Sequence, residues 1–253
     1  MSSKRGCSID SLGISSDLGT RRIEVIHVKV WGDYACFTRP ENKVERVSYD
    51  VMTPSAARGV LEAIFWKPEF RWRVREIWVL NPIKRFSILR NEVNTVASAR
   101  SAQGWQKSGG GFFAEEDRAQ RNALVLRDVA YVIRADLELA PHATDPLTKY
   151  REIFERRVEK GQARHQPYLG TREFTGYFAP VSAEDRPLEA LNEDLGRMLF
   201  DLEFTEDEDG PVRFRKHGVN GGAWVKGRAV PKFFAARLER GVLKVPDLYR
   251  SVN

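Results

Sequence analysis

One tyrosine in this chain stands among basic residues in a setting that suits acid–base chemistry. Tyr49 lies in a polar segment that also carries Arg39 and Arg46, and a helix start follows it directly. A phenol has an unperturbed pKa of about 10, so it would need neighbouring cations to ionise near neutrality, or it would act by hydrogen bonding and positioning. A loop tyrosine is more often packed by its ring than catalytic, so the residues alone favour the packing interpretation.

Other patterns that carry chemistry are missing from the sequence. No histidine lies three or four residues from another His or Cys, which is the spacing typical of a metal site. The sequence contains no Walker loop, no G-x-S-x-G and no aromatic consensus of RNA-recognition strands. We therefore predict no metal and no cofactor, although scattered carboxylates leave a loose Mg²⁺ site open. The histidines are His27, His142, His165 and His217.

The charges are unevenly distributed along the chain. The total is 41 Lys and Arg against 35 Asp and Glu in 253 residues, a net charge of +6. Residues 67–90 hold seven cations and two acids, and residues 211–244 hold nine cations and one acid. Residues 193–209 hold eight acids and one Arg. This segregation favours a basic face that binds a polyanion and an acidic back, with an ordinary solvated surface as the alternative.

A strand and a helix are predicted on either side of Tyr49. β-branched residues over about 23–37 favour a buried strand. Thr53 can cap a helix with its hydroxyl, and Pro54 suits the first helical position. Apolar residues recur at helical spacing after Pro54, so we predict a helix over about 54–66, ended by Pro68.

Further strands follow the helix. A strand over about 71–81 alternates basic with apolar residues, so that Arg71, Arg73 and Arg75 project from one side. An insertion at about 84–118 is predicted as a β-hairpin with a mobile glycine-rich tip.

The remaining elements complete a recognisable order. A strand over about 123–139, a helix after Asp145-Pro146 and a strand over about 174–181 give the order β-α-β-β-α-β. We predict an α+β fold: a ferredoxin-like (RRM-like) βαββαβ domain with an inserted β-hairpin, plus a small C-terminal β-rich domain.

The expected parts of the chain are a flexible tail over 1–20, the ferredoxin-like domain over 21–184 and the β-rich domain over 185–253. A glycine-rich segment over 218–227, with Lys226 and Arg228 at its end, is predicted either as a loop that brings N–H groups to a phosphate or as a mobile turn.

The sequence also favours one compartment. The two cysteines lie far apart, and no signal peptide and no apolar run long enough for a membrane span is apparent. We predict a cytoplasmic protein that does not contact a membrane.

Several ordered stretches resemble one family. They are 28–41 (VKVWGDYACFTRPE), 45–59 (ERVSYDVMTPSAARG), 120–124 (QRNAL), 129–133 (VAYVI), 165–170 (HQPYLG) and 172–174 (REF). Together they resemble the CRISPR-associated endoribonuclease of subtype I-C, a member of the RAMP superfamily. The similarity covers roughly residues 23–245.

The resemblance implies a function. It implies a metal-independent endoribonuclease that cleaves CRISPR repeat RNA (pre-crRNA) by 2′-OH attack and keeps the crRNA 5′ handle as a subunit of the type I-C interference complex. The insertion would then meet the large subunit and the backbone subunit. Two alternatives stay open: a non-catalytic cap that holds the handle, or a divalent-metal-dependent nuclease that acts on double-stranded DNA.

The resemblance also implies a catalytic set, from which this chain departs. Family members use a tyrosine at the position of Tyr49 and, in some members, a Lys-His pair where this chain has Arg121 and Asn122. Arg121 can stabilise a phosphorane but cannot readily transfer a proton, and Asn122 can only hydrogen-bond. We predict Tyr49, Arg121 and Asn122 as the catalytic residues, with His217 and Lys226 as candidate stand-ins for the proton-transfer group.

Basic residues near this set are predicted to bind the RNA backbone, and two aromatic residues of the insertion, Trp105 and Phe112, could stack on bases. The predicted RNA-binding residues are Arg39, Arg46, Arg58, Arg71, Arg73, Arg75, Lys226 and Arg228.

Overall fold

The computed structural model describes residues 25–248 apart from residues 43, 97, 112, 219 and 220. The predicted flexible tail and Phe112 lie outside the described residues. The strands are β1 (Ile26–Ala35), β2 (Arg46–Val47), β3 (Phe70–Val79), β4 (Arg85–Val93), β5 (Arg118–Leu139), β6 (Tyr177–Ala179), β7 (Glu193–Glu206), β8 (Val212–Gly218), β9 (Gly221–Glu239) and β10 (Val242–Lys244). The helices are α1 (Pro54–Ile64), α2 (Ala99–Ser108) and α3 (Leu147–Glu159). Within the described residues, no helix is long and apolar enough to cross a membrane.

Four strands have the order of a ferredoxin-like sheet. They lie side by side as β6-β1-β5-β3, and each neighbouring pair is antiparallel. Since α1 precedes β3 and α3 precedes β6, two interleaved β-α-β units result. The predicted α+β, ferredoxin-like fold is confirmed.

The helix α1 begins where the sequence predicts. The Thr53 hydroxyl accepts a hydrogen bond from the Ala56 N–H (3.3 Å), and Pro54 is the first helical residue. The positions that recur at helical spacing, including Val60, Leu61 and Ile64, are buried. This apolar face joins a core in which the rings of Trp72 and Phe154 lie 4.8 Å apart.

The predicted hairpin insertion consists of β4 and the first half of β5. These strands pair from Arg85 opposite Leu126 to Val93 opposite Arg118. The connection contains α2, which the sequence did not predict because α2 buries none of its residues and has no apolar stripe. Its N-terminus is capped by Ser98, whose hydroxyl accepts from the Ser101 N–H (3.0 Å).

The prediction of a loop over residues 218–227 is wrong for its described part. From Gly221 onward this segment is the start of β9, which pairs with β8, so its backbone groups serve a strand ladder. The glycines allow close approach: a Cβ at Gly222 would collide with the Arg215 side chain, and one at Gly227 would collide with Phe214 and the Thr205 carbonyl. These two glycines therefore leave room for the Arg215 and Phe214 side chains that lie against the backbone of β9.

The C-terminal strands continue the same sheet. The strand β9 pairs with β7 along its second half, and β10 pairs with both β9 and β3. A single sheet of ten strands therefore runs through both predicted domains of the described chain.

Candidate active site

Tyr49 is packed in the interior. Only 1% of its surface is exposed, and its hydroxyl accepts a hydrogen bond from the Leu199 N–H of β7 (3.2 Å). The Arg39 guanidinium carbon lies 4.4 Å from the centre of the Tyr49 ring. Burial raises the pKa of Tyr49 above its ordinary value, with Arg39 opposing that effect more weakly. In this arrangement the phenol fixes β7 against the ferredoxin-like unit, and its ring packs under the Arg39 guanidinium.

Arg121 and Asn122 are consecutive residues of β5. Arg121 lies opposite Arg90 in the β4–β5 register, whereas Asn122 lies opposite Leu89. Because successive residues of a strand point to opposite faces, Arg121 and Asn122 project from different sides of the sheet. The predicted catalytic residues are therefore not gathered at one point in this structure.

A cluster of arginines and glutamates lies on the Arg121 face. Arg90 Nη1 is 2.8 Å from Glu92 Oε1 and 3.4 Å from Glu173 Oε1. Arg46 completes the group at 3.6 Å from Glu92 and 3.7 Å from Glu173. We refer to these five residues, Arg46, Arg90, Arg121, Glu92 and Glu173, as the arginine–glutamate cluster.

The cluster has spare hydrogen-bonding capacity. The Arg90 side chain is 10% exposed, and its Nε and Nη2 atoms have no hydrogen-bond partner among the described residues. Arg121 forms no ion pair with a described carboxylate. The Glu173 side chain is 52% exposed and lies at the solvent edge. Three guanidinium groups against two carboxylates leave an excess of positive charge that suits an anion such as a phosphate.

An apolar layer supports the cluster. Cys36, Ala123 and Val125 are buried there with the Phe174 ring packed against them. Phe174 directly follows Glu173, so its packing anchors the backbone segment that carries Glu173. Burial raises the pKa of the Cys36 thiol, although Arg46 and Arg90 oppose this.

Sequence reasoning missed Arg90, Glu92 and Glu173. Arg90 and Glu92 are two residues apart in a strand and so share a face, which the strand period could have shown. Glu173 belongs to the stretch Arg172-Glu173-Phe174 that carries the family resemblance.

Three of the predicted RNA-binding arginines hold the fold together. Arg58 binds both carboxylate oxygens of Asp201 in β7 (2.8 and 2.9 Å) and also Glu62. Burial lowers the pKa of Arg58, but the Glu62 and Asp201 carboxylates raise it by more, so its charge is held firmly.

The other two arginines lie on β3. Arg73 binds Glu138 (2.7 Å), and Arg75 binds Asp136 (2.6 Å) and Asp247 (2.9 Å). Both acids Asp136 and Glu138 are on β5, next to β3.

The remaining predicted residues are distributed over the surface. Arg71 and Lys226 are exposed, Arg228 is paired with Asp207, and Arg39 lies 3.7 Å from Asp50. His217, a candidate for proton transfer, lies near the C-terminal end of α1 with its ring 5.3 Å from Trp66. His165 lies at the same end, where its backbone N–H donates to the Ala63 carbonyl. That end is about 16 Å from the Tyr49 end of the helix.

No group of three or more His, Cys, Asp or Glu side chains suited to a metal ion occurs within residues 25–248 as described.

The fold and its hairpin define a class of protein. The β6-β1-β5-β3 sheet with a long β4–β5 insertion and a second β-rich part is a ferredoxin-like architecture. The chain belongs to the Cas5d family, since residues 25–246 match the family described as CRISPR-associated protein (Cas_Cas5).

Similar proteins agree with this assignment. The chain is 55% identical over 231 residues to the CRISPR pre-crRNA endoribonuclease Cas5d of Thermus thermophilus, covering 89% of this chain and 95% of that protein. It is 44% identical over 236 residues to the protein of the same name from Mannheimia succiniciproducens, covering 88% and 96%. A solved structure described as a CRISPR-associated protein matches with a TM-score of 0.57 at 24% identity, covering 87% of this chain and 91% of that one, which shows the shared fold.

Proposed function

We propose that this protein is a metal-independent endoribonuclease of the cytoplasm that cleaves CRISPR repeat RNA. It then keeps the 5′ handle of the crRNA as a subunit of the type I-C interference complex, next to the large and backbone subunits. The names of its relatives support the substrate, since both are pre-crRNA endoribonucleases. The observation that carries the chemistry is the half-exposed Glu173 carboxylate within 3.4–3.7 Å of Arg90 and Arg46.

The cluster supplies a base and charge-stabilising donors for 2′-OH attack. The Glu173 carboxylate takes the proton of the ribose 2′-OH while the 2′-oxygen forms a bond to the adjacent phosphorus. The bond from phosphorus to the 5′-oxygen breaks, and that oxygen takes a proton from water. Arg121 and Arg90 donate hydrogen bonds to the non-bridging oxygens, where negative charge grows in the transition state. The products carry a 2′,3′-cyclic phosphate and a 5′-hydroxyl.

Tyr49 and Asn122 take supporting roles in this proposal. The Tyr49 hydroxyl acts as a positioning group, because its hydrogen bond to Leu199 sets the C-terminal strands against the segment that carries Arg46. Asn122, on the other face of β5, binds the RNA by hydrogen bonding. Arg71 and Lys226 are the accessible backbone-binding residues of the predicted set, whereas Arg228 is held by Asp207.

The test is cleavage of the cognate repeat RNA by the purified protein in excess EDTA. We expect cutting at one site by the wild-type protein and a loss of at least about 100-fold in kcat for Glu173→Gln and for Arg121→Ala. Glu155→Gln is the matched control, since Glu155 is 53% exposed and lies 3.6 Å from an arginine on α3. Tyr49→Phe should change kcat by less than about tenfold, since its role is positioning.

Two results would contradict this proposal. Wild-type activity in Glu173→Gln would remove Glu173 as the base. Tight binding without cutting by the wild-type protein would instead support a non-catalytic cap that holds the handle. The replacement of the Lys-His pair by Arg121 and Asn122 is the observation that favours that second function.

A further inference from the structure

A tryptophan surrounded by cations lies where β8 ends and β9 begins. Arg215 is opposite Trp224, and Arg213 is opposite Lys226 in the antiparallel register. Side chains that are directly opposite share a face and have Cβ atoms about 5 Å apart, so these four residues form one continuous surface. We refer to it as the Trp224 patch.

The cations of the Trp224 patch are not neutralised. Arg213, Arg215 and Lys226 make no ion pair with any described carboxylate, although cations beside them do: Lys216 pairs with Glu206, and Arg228 pairs with Asp207. The acidic residues of this region therefore leave the patch itself positively charged. Such a surface attracts a polyanion.

The aromatic ring of the patch is available for contact. Trp224 is 64% exposed, which is unusual because tryptophan side chains are highly buried on average. The missing side chain at Gly222 lets Arg215 lie across the strand beside it. The neighbouring His217 ring packs on Trp66 after α1 at 5.3 Å, which holds this end of the ribbon against the ferredoxin-like unit.

We propose that the Trp224 patch binds a single-stranded segment of RNA. One base stacks on the Trp224 indole, and the phosphates on either side of it contact Arg213, Arg215 and Lys226. A duplex offers its bases only at their edges, so stacking on a side chain selects unpaired nucleotides. The inference rests on the proposed function in one respect, namely that the RNA bound in the cell is the CRISPR repeat.

The opposite face of the ribbon argues against a protein partner on this one. Phe204 and Phe214, whose rings lie 5.4 Å apart, project from the other side of the strands with the exposed Leu202. An apolar surface of that kind suits a protein, because the cores of protein interfaces are depleted in charged residues. The Trp224 patch has the reverse composition, one ring among three cations.

Fluorescence anisotropy with a short labelled oligoadenylate, beside a blunt RNA duplex of the same length, tests the proposal. We expect Trp224→Ala to weaken oligoadenylate binding about tenfold while duplex binding changes less than about twofold. Trp224→Phe should retain most of the affinity, since a phenyl ring still stacks. Lys149→Ala, which removes an exposed cation on α3, should leave both affinities unchanged.

Equal oligoadenylate binding by wild type and Trp224→Ala would overturn the proposal, as would an equal loss for oligoadenylate and duplex. If Trp224→Ala instead binds oligoadenylate normally but fails to assemble with other subunits, the patch belongs to a protein partner. A melting temperature and an Arg215→Ala variant separate a folding defect from lost contacts, because Arg215→Ala should also weaken oligoadenylate binding. Repeat cleavage in the same preparations is scored separately, so a protein that binds oligoadenylate through Trp224 but cuts nothing contradicts only the proposed function.

Discussion

Two basic stripes of this molecule have similar sequences and opposite surroundings. The stripe on β3 consists of Arg71, Arg73 and Arg75, and the stripe on β8 holds Arg213 and Arg215 at the same spacing. On β3, two of the three arginines are bound by the carboxylates of Asp136 and Glu138 on the adjacent strand β5. On β8, the adjacent strand β9 contributes Lys226 and Trp224.

The difference shows that a basic sequence is not the same as a basic surface. The neighbouring strand decides whether an arginine is neutralised within the fold or left for a ligand. An arginine that already holds two carboxylates has few donors left for a phosphate, and taking it away exposes a carboxylate without its partner.

The largest effect is expected from the β3 stripe, and it concerns stability. Arg73→Met should lower the free energy of unfolding by about 3 kcal/mol. The Arg73 side chain is buried, and its loss leaves the Glu138 carboxylate without its partner. Urea denaturation measures this. Arg71→Met is the matched control, since Arg71 is exposed and should cost less than about 0.5 kcal/mol. A drop in RNA affinity with unchanged stability would reverse our assignment of Arg73.

The next effect is expected from the three cations of the Trp224 patch, and it concerns the salt dependence of RNA binding. Replacing Arg213, Arg215 and Lys226 together by Ala should reduce the slope of log affinity against log salt by about 2 for single-stranded RNA, since each phosphate contact contributes about 0.7. The control replaces three cations that have acidic partners, Lys84, Lys149 and Arg240, and should change the slope by less than about 0.5. Equal changes in both variants would show that only net charge matters.

The smallest effect is expected when the acidic partners of Arg75 in the β3 stripe are removed, and it also concerns salt dependence. Asp136→Asn combined with Asp247→Asn removes the two carboxylates bound to Arg75. If pairing is what keeps this arginine from RNA, the same slope should rise by up to about 0.7. An unchanged slope, with the fold intact by circular dichroism, would mean that the β3 face does not approach RNA at all.

Local patterns were enough to predict the ferredoxin-like part. Thr53 and Pro54 mark the start of α1 through groups within three residues of each other, and the strand period marked β1, β3 and β5. These features depend on neighbours in the chain, which a sequence displays. The same holds for the hairpin formed by β4 and β5, although α2 lacks the apolar stripe that would have revealed it.

The site depended on partners distant in the chain. The Tyr49 hydroxyl meets the Leu199 N–H, which lies 150 residues further on, so its burial could not be seen from the loop around it. Arg58 likewise meets Asp201, 143 residues away. Glu173 joins Arg46 and Arg90 only because three separate segments converge, and the family resemblance marked its stretch without giving it a role.

A repeat RNA with a single 2′-deoxynucleotide on the 5′ side of the cut decides whether the 2′-OH is the attacking group. We expect that in excess EDTA this RNA binds with unchanged affinity and is not cleaved, while the all-ribose repeat yields a 2′,3′-cyclic phosphate. Cleavage of the deoxy-substituted RNA at the same position would contradict it, because the attacking oxygen would then come from water and the 2′-OH would have no part in the reaction.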